Sequence, residues 1–194
     1  MTSGSRVKLG DRSHYSMPKT SNNALILFAR TPLKGQVKTR LYPSLDHETI
    51  FQLYSCFLQD SIQKICMVEN TDLLIGISSS QGSSYFENLA PRQKLRIVLQ
   101  EGVDLGERMR KTFADRFAEG YQKTVIIGSD SPSLPSSYLE AALGSDKDIT
   151  LGPCIDGGYY LIGLRNKLGD IFDEVDWGTS KVLEQTFRKI RCRK

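Results

Sequence analysis

The longest apolar run in the chain covers residues 24–29 and is bounded by polar residues on both sides. A short continuous run of this kind is typical of a strand buried on both faces of a sheet. Further runs alternate with stretches whose apolar residues are spaced three and four apart, as on one face of a helix. The predicted strands are 24–29, 72–78, 95–99, 124–127, 148–153 and 159–164. The predicted helices are 46–68, 104–119, 135–143 and a last one that follows Thr179, and one helical turn is predicted in the polar link at 83–89.

Strands that alternate with helices indicate an α/β fold, with a mostly parallel sheet covered by helices on both faces. The last two predicted strands flank Asp156-Gly157-Gly158, which is typical of a hairpin and therefore predicts a mixed sheet. Asp46 and Thr179 are predicted N-caps of the helices that follow them. The length fits a single domain, which we assign to 24–194. Residues 1–23 are polar and unpatterned, and we interpret them as a disordered leader or a segment added for expression.

The formal net charge of +4 is unevenly distributed along the 194 residues. Residues 1–23 carry four bases and one acid, and residues 188–194 carry five bases and no acid. The body between these ends therefore has a net charge of −4. A mildly acidic domain is not typical of a general polyanion binder, so we expect small-molecule partners and no nucleic acid.

Cellular location is predicted from what the sequence lacks. The longest apolar run is far shorter than the ~20 residues needed to span a bilayer, and the N-terminus has no apolar signal segment. The four cysteines form no C-x-x-C pair and no zinc-like grouping with the two histidines, although their even number leaves disulfides open. We therefore expect a cytoplasmic protein with free thiols and without a membrane span.

A basic segment follows the first predicted strand, and ligands of open α/β sheets bind at the carboxyl ends of strands. Residues 30–40 hold four cations around Gly35, which permits close approach of the backbone to a ligand. Lys38 and Arg40 are predicted to hold phosphate oxygens. The alternative is a solvated basic loop, and the residues alone favour neither interpretation.

Asp130 lies directly after the fourth predicted strand, between Ser129 and Ser131. Magnesium prefers a few carboxylates together with phosphate oxygens, so one aspartate facing a diphosphate is a plausible part of a metal site. A turn that ends the strand is the alternative, and spacing alone slightly favours it.

Three more candidates each have two interpretations. Asp156 is either a hairpin residue or a second metal contact or base, with Gly157 and Gly158 leaving room for a substrate. Asp104 is either the N-cap of the next helix or part of a turn that touches a ribose. Trp177 either stacks on a ligand or belongs to the core.

Four motifs stand in an order known from one protein family. They are Phe28-Ala29-Arg30-x-Pro32-x-x-Gly35-x-Val37-Lys38-Thr39-Arg40-Leu41, Asp104-Leu105-Gly106-Glu107-Arg108-Met109, Gly128-Ser129-Asp130-Ser131-Pro132-x-Leu134-Pro135 and Gly152-Pro153-x-x-Asp156-Gly157-Gly158-Tyr159-Tyr160. Over residues 23–190 the chain resembles the DUF2064 family, also called radical-SAM/selenodomain-associated transferase 1. Some members are labelled glycosyltransferases of arsenosugar biosynthesis. The family belongs to the nucleotide-diphospho-sugar transferase superfamily, which implies a glycosyltransferase-A fold.

The resemblance also implies roles for individual residues. Glycosyltransferases of this fold often carry Asp-x-Asp, whereas Ser129-Asp130-Ser131 supplies one carboxylate and is closer to the Gly-Asp-x-Pro of nucleotidyltransferases. A divalent cation, Mg²⁺ or Mn²⁺, would therefore rely on Asp130, Asp156, water and substrate phosphates. The expected catalytic residues are Lys38, Arg40, Asp130 and Asp156. The expected substrate-binding residues are Ala29, Arg30, Gly35, Thr39, Asp104, Gly106, Ser129, Ser131, Gly157, Gly158 and Tyr159.

These features together predict a metal-dependent transferase that acts on a nucleotide-activated donor. The family labels favour glycosyl transfer from a nucleotide sugar to a small acceptor. The basic loop and the single aspartate favour nucleotidyl transfer from a nucleoside triphosphate, with release of pyrophosphate. A nucleotide-binding module without turnover is the remaining alternative. The sequence leaves the base, the sugar, the acceptor and the oligomeric state open.

Overall fold

The computed structural model of the protein describes residues 18–79, 84–93, 95–165 and 171–192. This part of the chain forms one sheet of six strands with helices packed on it. The strands are β1 (Asn23–Ala29), β2 (Asp72–Ile77), β3 (Arg96–Leu99), β4 (Lys123–Gly128), β5 (Ile149–Pro153) and β6 (Tyr159–Arg165). The helices are α1 (His47–Ile65), α2 (Ser84–Gln93), α3 (Leu105–Ala118), α4 (Ser136–Gly144) and α5 (Val182–Arg191), and a short 3-10 turn covers Thr39–Leu41.

The sheet has the strand order β3-β2-β1-β4-β6-β5. Strands β1 to β4 are parallel, whereas β6 pairs antiparallel with both β4 and β5. The mixed sheet predicted from the late hairpin is therefore confirmed. Because β1 and β4 are neighbours with Phe28 opposite Gly128, the loops that leave these two strands start side by side at one edge of the sheet.

Each face of the sheet buries its own apolar cluster, which confirms the prediction of helices on both faces. On one face, Ile50 and Leu58 of α1 pack with Phe86 of α2 and Leu139 of α4. On the other face, Met109 and Phe113 of α3 pack with Phe172, and Ile190 of α5 adds to this cluster. The central strands β1 and β4 between the clusters are almost fully buried, as their continuous apolar runs predict.

Two predicted helix caps are present and a third is wrong. The Asp46 carboxylate accepts hydrogen bonds from the N–H groups of Glu48 and Thr49, both at 2.9 Å, and thus satisfies the start of α1. Asp104 does the same for α3, accepting from Glu107 N–H at 2.8 Å. Thr179 does not cap α5, which begins three residues later at Val182. Its hydroxyl instead donates to the carbonyl of Asp176 at 2.8 Å and closes a turn before the helix.

The described part of the predicted leader, residues 18–23, is hydrogen-bonded to the domain, and its last residue, Asn23, is the first residue of β1. Thr20 N–H donates to the Asp72 carboxylate at 2.9 Å, and the Tyr121 hydroxyl donates to the same carboxylate at 2.7 Å. Burial alone would raise the pKa of Asp72, but the hydrogen bonds from Thr20 and Tyr121 outweigh it and hold that pKa below its usual value. Residues 1–17 lie outside the described part of the chain.

The described helices include none with the length and apolar character that a membrane span requires.

Candidate active site

A cleft of about 930 Å³ lies along the edge of the sheet where β1 and β4 end. Most of the residues predicted from the sequence to form the site meet in its walls. These are Ala29, Arg30, Lys38, Thr39, Arg40, Asp104, Ser129, Asp130, Ser131, Asp156 and Tyr159. The predicted glycines Gly35, Gly106, Gly157 and Gly158 are not part of the lining.

Lys38 and Asp130 form an ion pair inside this cleft. The Lys38 ammonium lies 2.6 Å from Oδ1 of Asp130. The backbone of Lys38 is left-handed, with φ 49° and ψ 39°, a conformation that disfavours any residue with a side chain. The carboxylate is the more open partner, since 67% of the Asp130 side chain is exposed against 27% of the Lys38 side chain. The two residues that sequence reasoning assigned to phosphate and metal binding thus bind each other.

The Tyr54 side chain joins the loops that follow β1 and β4. Its hydroxyl accepts a hydrogen bond from Arg30 N–H and donates to the Arg30 carbonyl, both at 3.0 Å, and lies 3.3 Å from Ser129 Oγ. The ring also faces Lys38, with 5.8 Å between the ammonium and the ring centroid. Burial raises the pKa of the Tyr54 hydroxyl, so it stays protonated and keeps its donor.

Sequence reasoning missed Tyr54 as a site residue, because its helical spacing with Ile50 and Leu58 predicts the core. The available signal was the hydroxyl, since a tyrosine that faces a core needs a partner for its polar end. Leu53 and Phe57 share this helical spacing, which by itself does not distinguish a core from a cleft. Both lie on the side of α1 that lines the cleft.

The loop that carries Asp130 is fixed at several points. Ser129 is buried, and Leu134 N–H donates to the Ser131 carbonyl at 3.1 Å. The Lys64 ammonium of α1 donates to the carbonyl of Pro132. These contacts hold the backbone of the loop, so the Asp130 carboxylate projects into the cleft from a stable turn.

Asp156 lies in the turn between β5 and β6. Its Oδ1 accepts from Gly158 N–H at 3.0 Å, and the side chain is exposed toward the cleft. Gly157, predicted to give a substrate room, instead packs against the segment before α5. A Cβ atom on Gly157 would lie 2.0 Å from the Ser180 carbonyl oxygen, and the Gly157 carbonyl accepts from Leu183 N–H at 2.8 Å. The two glycines therefore shape the turn that presents Asp156.

Gly106, predicted to lie near a nucleoside, is covered by an indole ring. A Cβ atom at Gly106 would lie 2.3 Å from Nε1 of Trp177. Trp177 in turn packs edge-on against Tyr159, at 6.4 Å between ring centroids, and beside Phe172. Of its two interpretations, the structure therefore places Trp177 in the core. Asp104 fits both of its interpretations, the N-cap and the ligand contact, because it caps α3 and also lines the cleft.

Gln100 is a second residue of the cleft that the sequence did not single out. Its Nε2 donates to the Gly76 carbonyl at 2.6 Å and lies 3.4 Å from the Ala29 carbonyl. These bonds tie the end of β3 to the ends of β2 and β1. Arg108 lines the same side of the cleft, and its Nε donates to the Gly102 carbonyl at 3.1 Å.

The carboxylates of the cleft suit a hard cation that is shared with phosphate groups. Within the described residues, no three His, Cys, Asp or Glu side chains come together as a metal-binding group. Asp130 and Asp156 both face the cleft, and Asp130 already holds a cation, the Lys38 ammonium. Mg²⁺ accepts a donor set of one or two carboxylates that is completed by phosphate oxygens and water. The residues present therefore fit such an ion.

Comparison with known proteins matches the chain to one family and to solved structures. The family model of DUF2064, described as an uncharacterized protein conserved in bacteria, matches residues 61–179. A crystal structure from Desulfovibrio desulfuricans G20, of a protein provisionally assigned as a nucleotide-diphospho-sugar transferase, is 33% identical with a TM-score of 0.81. That match covers 89% of this chain and 77% of the other. Among curated proteins no relative matches.

A cytidylyltransferase from Leptospira borgpetersenii serovar Hardjo-bovis (strain JB197) is a weaker structural match. It is 10% identical with a TM-score of 0.49, over 75% of this chain and 61% of that chain. The family model, by contrast, spans more than half of the chain and includes Asp104, Asp130 and Asp156. The chain therefore belongs to the DUF2064 family and has the fold of the nucleotide-diphospho-sugar transferase superfamily.

Proposed function

We propose that the protein is a transferase that acts on a nucleotide-activated donor. The main support for this proposal is the ion pair between Lys38 and Asp130, in which Nζ lies 2.6 Å from Oδ1. Arg30 and Arg40 line the same cleft. Cations beside a hard carboxylate are what a diphosphate with its counter-ion requires. The likeness to the protein from Desulfovibrio desulfuricans G20, provisionally assigned as a nucleotide-diphospho-sugar transferase, supports the same class of reaction.

In this proposal the basic loop holds the phosphates of the donor. Lys38 and Arg40 donate to phosphate oxygens and stabilise the negative charge that grows on the leaving group. Asp130, with phosphate oxygens and water, would hold Mg²⁺ or Mn²⁺, which when bound supplies further neutralisation of phosphate charge. Asp104 and Gln100 line the part of the cleft beyond β2 and β3, where the nucleoside would lie. Asp156 and Tyr159 line the cleft at the β5–β6 turn, and in this proposal the acceptor lies beside them.

We favour glycosyl transfer as the reaction. A hydroxyl of the acceptor attacks the anomeric carbon of the sugar, the bond from that carbon to the diphosphate oxygen breaks, and the nucleoside diphosphate leaves with the electron pair. The proton of the hydroxyl passes to a base, for which the exposed Asp156 carboxylate is available in the cleft.

Nucleotidyl transfer is the second candidate, and the single carboxylate between Ser129 and Ser131 favours it. Here a phosphate oxygen of the acceptor attacks the α-phosphorus of a nucleoside triphosphate, and pyrophosphate leaves. Both reactions need the same cation and the same basic loop. They differ in the product, which is a nucleoside diphosphate in the first and pyrophosphate in the second.

A thermal-shift screen identifies the donor. Nucleoside triphosphates and nucleotide sugars are tested with Mg²⁺ or Mn²⁺, and a donor that binds the folded protein raises the unfolding temperature by mass action. Product assays with the stabilising donor then distinguish nucleoside diphosphate from pyrophosphate.

The role of Asp130 is tested with Asp130→Asn. We expect at least a hundredfold loss of product formation, since loss of a key electrostatic contact costs about 10²–10³ in rate. Asp146→Asn is the matched control, because its carboxylate is exposed and pairs with Lys147 at 3.3 Å, outside the cleft lining. Unchanged turnover in Asp130→Asn would refute the proposed metal site. Donor binding without turnover in the wild-type protein would instead indicate a binding module.

A further inference from the structure

We infer that Lys38 masks Asp130 in the free protein, and that the donor diphosphate and the divalent cation bind cooperatively by exchanging the partners of this ion pair. The inference rests on the proposed function, because it concerns the phosphate and metal ligands of that site. It adds a property that the separate assignments of Lys38 to phosphate and Asp130 to the metal ion do not include. The ion pair weakens the binding of either ligand alone, whereas the binding of both together is favoured.

The first argument is geometric. An ammonium 2.6 Å from Oδ1 of Asp130 occupies the space beside that oxygen where a divalent cation would bind. The backbone of Lys38 is held by the turn that follows, in which Leu41 N–H donates to the Lys38 carbonyl at 2.9 Å. The flexible stem of the lysine still lets the ammonium move. The face of Tyr54 lies 5.8 Å from the ammonium at the centroid in the same arrangement, so this cation–π contact does not depend on the carboxylate.

The second argument is electrostatic. A divalent cation placed on Asp130 without a donor is repelled by the Lys38 ammonium beside it. A diphosphate placed on Lys38 without a metal ion is repelled by the Asp130 carboxylate. When both ligands are present, the lysine faces phosphate and the carboxylate faces the metal ion, so that each charge has an opposite neighbour. Such a coupling is reciprocal by thermodynamic necessity.

Removal of either partner should therefore strengthen the binding of the ligand that it opposes. The Lys38→Met variant loses the ammonium that competes for Asp130. We expect it to bind Mn²⁺, added without nucleotide, about three- to tenfold more tightly than the wild-type protein. Lys34→Met is the matched control, because Lys34 belongs to the same loop but pairs with Glu48. Its Mn²⁺ affinity should stay within about twofold of wild type.

The Asp130→Asn variant tests the pair from the other side. In excess EDTA it should bind inorganic pyrophosphate about three- to tenfold more tightly than wild type, because Lys38 is no longer held by a carboxylate. Asp146→Asn removes the same charge outside the cleft lining, where the carboxylate pairs with Lys147 at 3.3 Å, so it serves as the control. Its pyrophosphate affinity should change by less than about twofold.

Manganese binding is followed by electron paramagnetic resonance of free Mn²⁺, and pyrophosphate binding by calorimetry, with circular dichroism to confirm that each variant is folded. Tighter binding in Lys38→Met and Asp130→Asn than in their controls supports the exchange. Equal affinities in variant and control, with both probes bound by wild type, overturn the exchange and leave the proposed function standing. If wild type and variants bind neither Mn²⁺ nor pyrophosphate, the proposed function and this inference are both refuted.

Discussion

Replacing Gly157 by alanine should destabilise the protein through the contact between the β5–β6 turn and the start of α5. Gly157 has φ +83°, a region that residues with a side chain rarely adopt, and an added Cβ would lie 2.0 Å from the Ser180 carbonyl oxygen. Gly178 offers a matched comparison. It has the same φ of +83°, but nothing lies within 4 Å of the position that its Cβ would take.

The two variants share the cost of the backbone conformation and differ in the collision. A left-handed alanine costs about 1–2 kcal/mol. Overpacking at a site that cannot relax costs about 1–3 kcal/mol more, and the collision at Gly157 also strains the hydrogen bond from Leu183 N–H. We therefore expect a loss of about 1 kcal/mol for Gly178→Ala and about 3 kcal/mol for Gly157→Ala. In a domain of this size these losses correspond to decreases in the unfolding temperature of about 3 °C and about 10 °C.

Both variants are measured by thermal and urea unfolding, followed by circular dichroism at the helix band. The informative quantity is the difference between the two free energies of unfolding, which isolates the packing of the turn on Ser180. Equal destabilisation of both variants would refute the contact. A larger effect for Gly178→Ala would show that the turn carrying Asp156 is held by other means.

Three further outcomes are expected. Gly106→Ala should lower the free energy of unfolding in urea by about 1–2 kcal/mol, because the Trp177 indole fills the space that the new Cβ would need. This loss is expected despite the better helix propensity of alanine. Gly144→Ala is the control and should not destabilise the protein, because nothing lies within 4 Å of its Cβ position. Tyr54→Phe should lower the free energy of unfolding by about 1–2 kcal/mol and weaken pyrophosphate binding, because it removes the hydroxyl that joins the loops after β1 and β4. Unchanged stability and affinity would contradict that role. The pKa of Asp72 is lowered in the fold, so the stabilisation from its carboxylate is full above the unfolded pKa of about 3.9 and is lost as pH falls toward the folded value. The difference in unfolding temperature between wild type and Asp72→Asn should therefore shrink from pH 6 to pH 3.

Local features of the fold could be predicted because short stretches of sequence determine them. The apolar run at 24–29 is a buried strand, and Asp46 caps α1, because strand burial and capping depend on residues close in the chain. Thr179 shows where this reasoning fails. Several residues with side-chain oxygens can close a turn, and the chain continues for two residues past Thr179 before α5 begins at Val182.

The candidate site could be predicted as a set of residues but not as an arrangement. Lys38 meets Asp130 because β1 and β4 are neighbours in the sheet, with Phe28 opposite Gly128. Strand order depends on long-range packing, which no local pattern of apolar residues encodes. Periodicity has a similar limit at Phe57, since an apolar residue on the side of a helix has the same spacing whether it faces a core or a cleft.

The protein contains a single tryptophan, and its position makes it an internal optical reporter. The Trp177 ring lies against Gly106 at the start of α3 and edge-on to Tyr159 of β6, and both Tyr159 and Asp104, which caps α3, line the cleft. A ligand that binds beside Asp104 or Tyr159 therefore changes the surroundings of one fluorophore and of no other indole. Intrinsic emission can therefore follow the occupation of the cleft without a label, a cofactor or a coupled enzyme.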